Sequence, residues 1–119
     1  MTITIYHNPR CSKSREAFSI LEKFAADNSI SLNVIEYLKT PPSRDQLLAL
    51  SKSLGGNLRD MVRSNEDEYV ALELAKANND VLLDALASHP KLLQRPVVVY
   101  RGKALIARPP ELLQDFLKP

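Results

Sequence analysis

The only cysteine of the chain, Cys11, lies in the polar segment HNPRCSKSRE at residues 7–16. The sequence predicts that this segment joins a short strand to a helix, which places the sulfur where backbone N–H groups without helical partners and the helix dipole favour an anion. Arg10, Lys13 and Arg15 add positive charge nearby. We therefore expect a lowered thiol pKa and a nucleophile at neutral pH.

A lone cysteine is often a small buried apolar side chain instead. The neighbours of Cys11 argue against that reading, because apart from Pro9 every residue from Asn8 to Arg15 is polar or charged. The residue types favour a reactive thiol in a loop that binds an oxyanion.

Ser14 stands where a Cys-x-x-Cys pair would carry its second cysteine. Its hydroxyl can hydrogen-bond a thiolate but cannot resolve a mixed disulfide. Any covalent adduct on Cys11 must therefore be released by a thiol from outside, such as glutathione or a cysteine of another protein.

His7 directly precedes the cysteine loop. When protonated it would favour the thiolate, and otherwise it only completes the strand and packs; the sequence leaves both readings open. We assign no function to His89. No spacing of His, Cys and carboxylate residues matches a zinc or iron site, so we expect no metal.

Three arginines, Arg63, Arg95 and Arg108, are candidates for binding an oxyanion, because a planar guanidinium suits bidentate contacts to tetrahedral anions. Each could instead be a solvated surface residue. Arg95 is best placed if the proline after it opens the third strand of a thioredoxin-like fold. Arg59 competes with Arg63 within the segment RDMVRSN.

The chemistry-bearing loop belongs to a predicted βαβ unit. β-Branched and aromatic residues predict a strand over Thr2–Tyr6, apolar spacings of three and four predict a helix from Ser12 to about Ala26, and alternation predicts a strand over Ser31–Tyr37. This order favours two parallel strands joined by a right-handed crossover.

The rest of the chain predicts a helical insert at about 43–90 followed by a ββα unit. Within the insert, Ser43 caps a helix that ends at Gly55-Gly56, EYVALELAKA is helical, and Asn79 or Asp80 caps DVLLDALASH. RPVVVY and KALIAR form a hairpin turning at Arg101-Gly102, and PPELLQDFL closes the chain as a helix. The predicted fold is α/β and thioredoxin-like.

Length and composition favour a single domain over residues 1–119. The net charge is only +2, which does not indicate a nucleic-acid surface. Neither a signal-like N-terminus nor an apolar run of about 18 residues occurs, so we expect no membrane partner. Because a lone thiol forms no internal disulfide, we expect a cytoplasmic protein, and we expect it to be a monomer.

Four ordered segments of the chain resemble the ArsC family of glutathione- and glutaredoxin-dependent arsenate reductases, and within it the short members of the YfgD type. The segments are IYHNPRCSKSRE, YLKTPPSRDQL, HPKLLQRPVVV and ARPPE, and together they extend over nearly the full length. The resemblance implies a thioredoxin-like fold with a helical insert and a redox-active Cys11.

The resemblance also implies an activity and roles for individual residues. Cys11 would attack arsenate held by Arg63, Arg95 and Arg108, with His7 and Ser14 tuning the thiolate. Glutathione would release arsenic(III) and leave a mixed disulfide on Cys11 for glutaredoxin to reduce. No cofactor would be bound, glutathione would be the reducing co-substrate, and glutaredoxin would be the protein partner.

Two alternative functions remain open at this point. One is a general glutathione-linked thiol oxidoreductase that does not use arsenate. The other is a Spx-like regulator that binds RNA polymerase. The regulator is disfavoured because such relatives commonly carry a Cys-x-x-Cys switch, which Ser14 removes, and because the chain lacks an extended basic stripe.

Overall fold

A computed structural model describes residues 1–119 of the chain. The chain divides into two compact units. The sheet unit comprises residues Met1–Tyr37 and Arg95–Pro119, and the helical unit comprises residues Leu38–Gln94. The predicted insert of about 43–90 falls inside the helical unit, and the single-domain organisation stays a prediction.

The sheet unit contains a four-stranded sheet with the order β2-β1-β3-β4. β1 pairs in parallel with β2, and the other two pairings are antiparallel. This mixed sheet, with a helix connecting its parallel strands, confirms the predicted thioredoxin-like fold. The strands are β1 (Thr2–His7), β2 (Ser31–Glu36), β3 (Val97–Tyr100) and β4 (Lys103–Ile106).

The chain forms five α-helices, of which the first and last belong to the sheet unit. They are α1 (Ser12–Asp27), α2 (Arg44–Ser53), α3 (Asp67–Ala71), α4 (Asn79–Ser88) and α5 (Leu113–Phe116). Short 3-10 turns lie at Leu58–Met61, Leu74–Lys76, Pro90–Leu92 and Pro110–Leu112. No helix combines the length and apolar character that crossing a membrane requires.

The structure confirms one predicted helix start and corrects another. Ser43 caps α2 in a capping box with Gln46, in which each side chain bonds the other residue's backbone N–H. The cap of α4 is Asn78 rather than Asn79 or Asp80, because it is the side chain of Asn78 that accepts the N–H of Val81 at 3.0 Å.

The segment EYVALELAKA does not form one helix. α3 ends at Ala71, Glu73 adopts a left-handed conformation with φ of 55°, and the chain continues as a 3-10 turn. The Arg59 guanidinium donates to the carbonyls of Leu74 and Ala77 at 3.1 and 2.8 Å. These tertiary hydrogen bonds favour the broken path over the continuous helix that the residue types predict.

The core of the sheet unit fixes α1 against the sheet. Leu21 and Ala17 of the helix are fully buried in one cluster with Ile3 and Ile5 of β1, while Ile20 lies on the outer face. The register pairs Tyr6 at the end of β1 with Val97 at the start of β3. The loop after β1 and the residues before β3 therefore share one edge of the sheet.

We expect Leu21→Ala to lower the free energy of unfolding by about 2–5 kcal/mol, because it leaves a cavity beneath α1. Ile20→Ala, in which the original side chain is 36% exposed, is the matched control and should cost a fraction of that. Urea unfolding followed by circular dichroism measures both, and equal losses in the two variants would contradict this packing.

Candidate active site

Cys11 occupies the N-cap position of α1, with extended backbone angles of φ −95° and ψ 125°. Its N–H donates to the carbonyl of Asn8 at 3.0 Å, and its carbonyl accepts the N–H of Arg15 at 3.0 Å. The partly exposed thiol makes no capping hydrogen bond of its own. The N–H groups of the first helical turn are thus available to a thiolate or an anion.

The surroundings of the sulfur lower the pKa of Cys11. Partial burial acts to raise it, but the backbone N–H groups of Ser14 and Lys13 and the guanidinium of Arg95 stabilise the thiolate and outweigh that effect. This confirms the direction expected from the sequence, with Arg95 as the charged partner. Lys13 and Ser14 of the loop stabilise the thiolate through their backbone N–H groups.

Ser14 ties the end of β1 to the first turn of α1. Its fully buried Oγ accepts the N–H of Asn8 at 3.0 Å and lies 2.7 Å from Nδ1 of His7. The N–H of Arg10 adds a contact to Oδ1 of Asn8 at 3.1 Å. The hydroxyl therefore organises the loop that carries the sulfur.

His7 is buried and stacks on Phe18, with ring centroids 5.1 Å apart. Burial lowers its pKa, with a smaller lowering from Arg15, and Glu36 only partly offsets them. The imidazole is consequently neutral at pH 7, and Nδ1 can accept the Ser14 proton. Its role in tuning the thiolate stays a prediction, and the contact in place runs through Ser14 rather than through an imidazolium charge.

Arg95 and Arg108 occupy different environments within the sheet unit. Arg95 is half-buried and reaches the Cys11 sulfur from the residues before β3. Arg108 follows β4 and is exposed, and no hydrogen bond or ion pair joins its side chain to the cysteine loop. Both residues precede a proline in a cis peptide bond. Oxyanion binding by Arg108 stays a prediction.

Arg63 and Arg59, the two competing candidates of the segment RDMVRSN, lie in the helical unit. The buried Arg63 side chain has Nη1 3.2 Å from Oε1 of Glu66, without the geometry of a hydrogen bond. Arg59 is engaged by three acceptors, which are Tyr69 Oη and the carbonyls of Leu74 and Ala77. These bonds make Arg59 a structural residue, and the role of Arg63 stays a prediction.

Sequence reasoning missed Tyr37, which directly follows β2 and is fully buried. Burial raises its pKa to about 12, with a further contribution from Cys11, while Arg95 and Asn8 act in the opposite direction. Tyr37 thus lies beside the cysteine loop. His7 pairs with Glu36 at the ends of the parallel strands β1 and β2. The cysteine loop and Tyr37, which follow these strands, therefore lie at the same end of the sheet.

The model of the ArsC family matches residues 6–116. The chain belongs to the ArsC family. It is 45% identical over 118 residues to an arsenate reductase of Neisseria meningitidis serogroup B, covering 97% of each protein. It is also 45% identical to the uncharacterized protein YfgD of Escherichia coli K12, covering 97% of this chain and 96% of that protein.

A solved structure of an arsenate reductase from Vibrio cholerae has the same fold, with a TM-score of 0.88. The two chains are 44% identical, and the match covers 98% of each. The ArsC family assignment from sequence motifs is therefore confirmed. The chain contains no group of three or more His, Cys, Asp or Glu residues placed to hold a metal ion.

We expect the rate of Cys11 alkylation by iodoacetamide to rise with pH through a midpoint below the unperturbed value of about 8.5. Arg95→Gln should shift the midpoint upward, because it removes a group that stabilises the thiolate. Lys103→Gln is the matched control, since it removes one positive charge at the far end of the hairpin. An identical midpoint in wild type and Arg95→Gln would contradict the contact.

Arg59→Ala should lower the free energy of unfolding by about 1–3 kcal/mol, because it leaves carbonyl acceptors without their partner. Exposed Lys52→Ala should leave stability within about 0.5 kcal/mol of wild type. Urea unfolding gives both values. Unchanged stability in Arg59→Ala would contradict the structural role of Arg59.

Proposed function

We propose that the protein reduces arsenate to arsenite through a thioarsenate adduct on Cys11 that glutathione and glutaredoxin resolve. The observation that carries the proposal is the sulfur at the start of α1, faced by the N–H groups of Lys13 and Ser14 and by Arg95. The relatives named arsenate reductase support the choice of arsenate.

In the first step, the Cys11 thiolate attacks arsenic(V). A sulfur–arsenic bond forms, an arsenic–oxygen bond breaks, and the departing oxygen takes protons from solvent and leaves as water. The Arg95 guanidinium neutralises charge on the remaining oxygens. Arg108 and Arg63 are included as further anion ligands on the family resemblance alone.

In the second step, a glutathione thiolate attacks the Cys11 sulfur. The new disulfide forms as the electron pair of the sulfur–arsenic bond passes to arsenic, which leaves as arsenic(III). Two sulfurs have then supplied the two electrons. Because Ser14 cannot reduce the Cys11–glutathione disulfide, a glutaredoxin thiolate attacks the glutathionyl sulfur and regenerates the Cys11 thiolate.

This route has requirements beyond the protein itself. It needs reduced glutathione as co-substrate and glutaredoxin as partner, and it needs no bound cofactor. We place the reaction in the cytoplasm, where thiols are kept reduced. We assign it to a monomer, because the residues that this protein contributes to the steps all belong to one chain.

The second candidate is a general glutathione-linked thiol oxidoreductase. The observation in its favour is the partly exposed thiol of lowered pKa, which suits exchange with disulfides of many kinds. Arg95 would stabilise the thiolate in both functions, whereas its role as a ligand of the oxyanion would serve arsenate reduction alone.

Purified protein with glutathione, glutaredoxin, glutathione reductase and NADPH should oxidise NADPH only when arsenate is added. Cys11→Ser should abolish this turnover. Arg95→Gln should lower kcat/KM for arsenate by about tenfold or more, as expected for the loss of a charged anion contact. Lys103→Gln is again the control.

The assay with a glutathionylated peptide in place of arsenate separates the two candidates. Turnover of that peptide, unaccompanied by any arsenate-dependent turnover, would contradict arsenate reduction and favour the general oxidoreductase.

A further inference from the structure

The hydroxyl of Tyr37 is a buried polar group without a hydrogen-bond partner. The side chain is 0% exposed, and its oxygen meets no donor or acceptor in hydrogen-bond geometry. Leaving a buried hydroxyl unsatisfied destabilises a folded protein, so each such group in a native structure needs an explanation. Phenylalanine at this position would remove that cost.

The surroundings of this hydroxyl are those of the candidate active site. Arg95 and Asn8 lie near enough to its oxygen to favour the phenolate, and the Cys11 sulfur acts on it in the opposite sense. The cysteine loop follows β1, Tyr37 follows β2 and Arg95 precedes β3, and these are three adjacent strands of the sheet. Three separate segments thus converge on one point.

Tyr37 would act at this point as a hydrogen-bond donor. Burial raises its pKa to about 12, so the phenol stays protonated at neutral pH. The groups beside it that favour the phenolate, Arg95 and Asn8, act as donors toward it. The missing partner of the hydroxyl is therefore an acceptor, and an oxyanion brings several acceptor oxygens.

We propose that Tyr37 is an additional oxyanion-binding residue, whose hydroxyl donates a hydrogen bond to an oxygen of the anion held beside Cys11 and Arg95. The proposal rests on the proposed function for the nature of that anion. Because the hydroxyl is buried, the proposal requires Arg95 and Asn8, which are only half-buried, to move aside as the anion enters. Binding then satisfies a group that the free protein leaves unsatisfied.

The test compares Tyr37→Phe with Tyr100→Phe. Tyr100 is a matched control in the same unit, because its hydroxyl lies at the opposite end of β3 and contacts Met1 Sδ at 3.4 Å and Arg101 at 3.3 Å. Without anion, Tyr37→Phe should have a melting temperature equal to or above that of wild type. Tyr100→Phe loses its hydroxyl contacts and should melt at a lower temperature.

Anion binding is measured as protection of Cys11 against iodoacetamide, with arsenate and phosphate as the probes. The half-protecting arsenate concentration should rise about tenfold or more in Tyr37→Phe, as expected for a hydrogen bond to a charged group, and should be unchanged in Tyr100→Phe. The pH midpoint of alkylation in the absence of anion should be the same in Tyr37→Phe and wild type.

Three results would overturn the inference. One is unchanged protection in Tyr37→Phe, and another is failure of every oxyanion to protect the wild type. The third is a raised alkylation midpoint in the free variant, which would make Tyr37 a residue that positions Arg95.

The outcome is separable from that of the proposed function. Protection that depends on Tyr37, without arsenate-dependent turnover, would support the inference and contradict arsenate reduction. Normal turnover with an unchanged arsenate KM in Tyr37→Phe would support arsenate reduction and contradict the inference.

Discussion

The chemistry of this protein depends on one negative charge, which the fold stabilises on the sulfur of Cys11. Burial alone would disfavour that charge, and the N–H groups of Lys13 and Ser14 together with Arg95 reverse the balance. Two of these donors belong to the first turn of α1, whereas Arg95 lies in the segment that precedes β3. The antiparallel pairing of β1 with β3 is what brings the guanidinium to the thiolate.

Ser14 determines both how the cysteine loop is held and where the resolving thiol must come from. A second cysteine here would supply the resolving thiol, but the serine hydroxyl instead holds Asn8 and His7 through bonds of 3.0 and 2.7 Å. The same position therefore rigidifies the loop and removes internal disulfide formation. In the proposed mechanism the reducing power accordingly comes from glutathione and glutaredoxin.

Features set by local sequence could be predicted, and features set by tertiary contacts could not. The Cys11 loop, the crossover helix and the hairpin each follow from short-range signals. The break at Glu73 depends on bonds from distant Arg59, so helical residue types were misleading there. Tyr37 was missed because a buried hydroxyl without a hydrogen-bond partner arises only when the three strands come together in the fold. Its segment, YLKTPPSRDQL, was nevertheless one of the family motifs.

The most direct test of the central claim is intact-protein mass spectrometry of the reaction without glutaredoxin. With arsenate and glutathione present, Cys11 should accumulate one glutathionyl group per chain, because arsenic(III) has left and nothing reduces the mixed disulfide. Omitting arsenate or using Cys11→Ser should leave the mass unchanged. An unmodified wild-type protein, or the same modification without arsenate, would contradict the account.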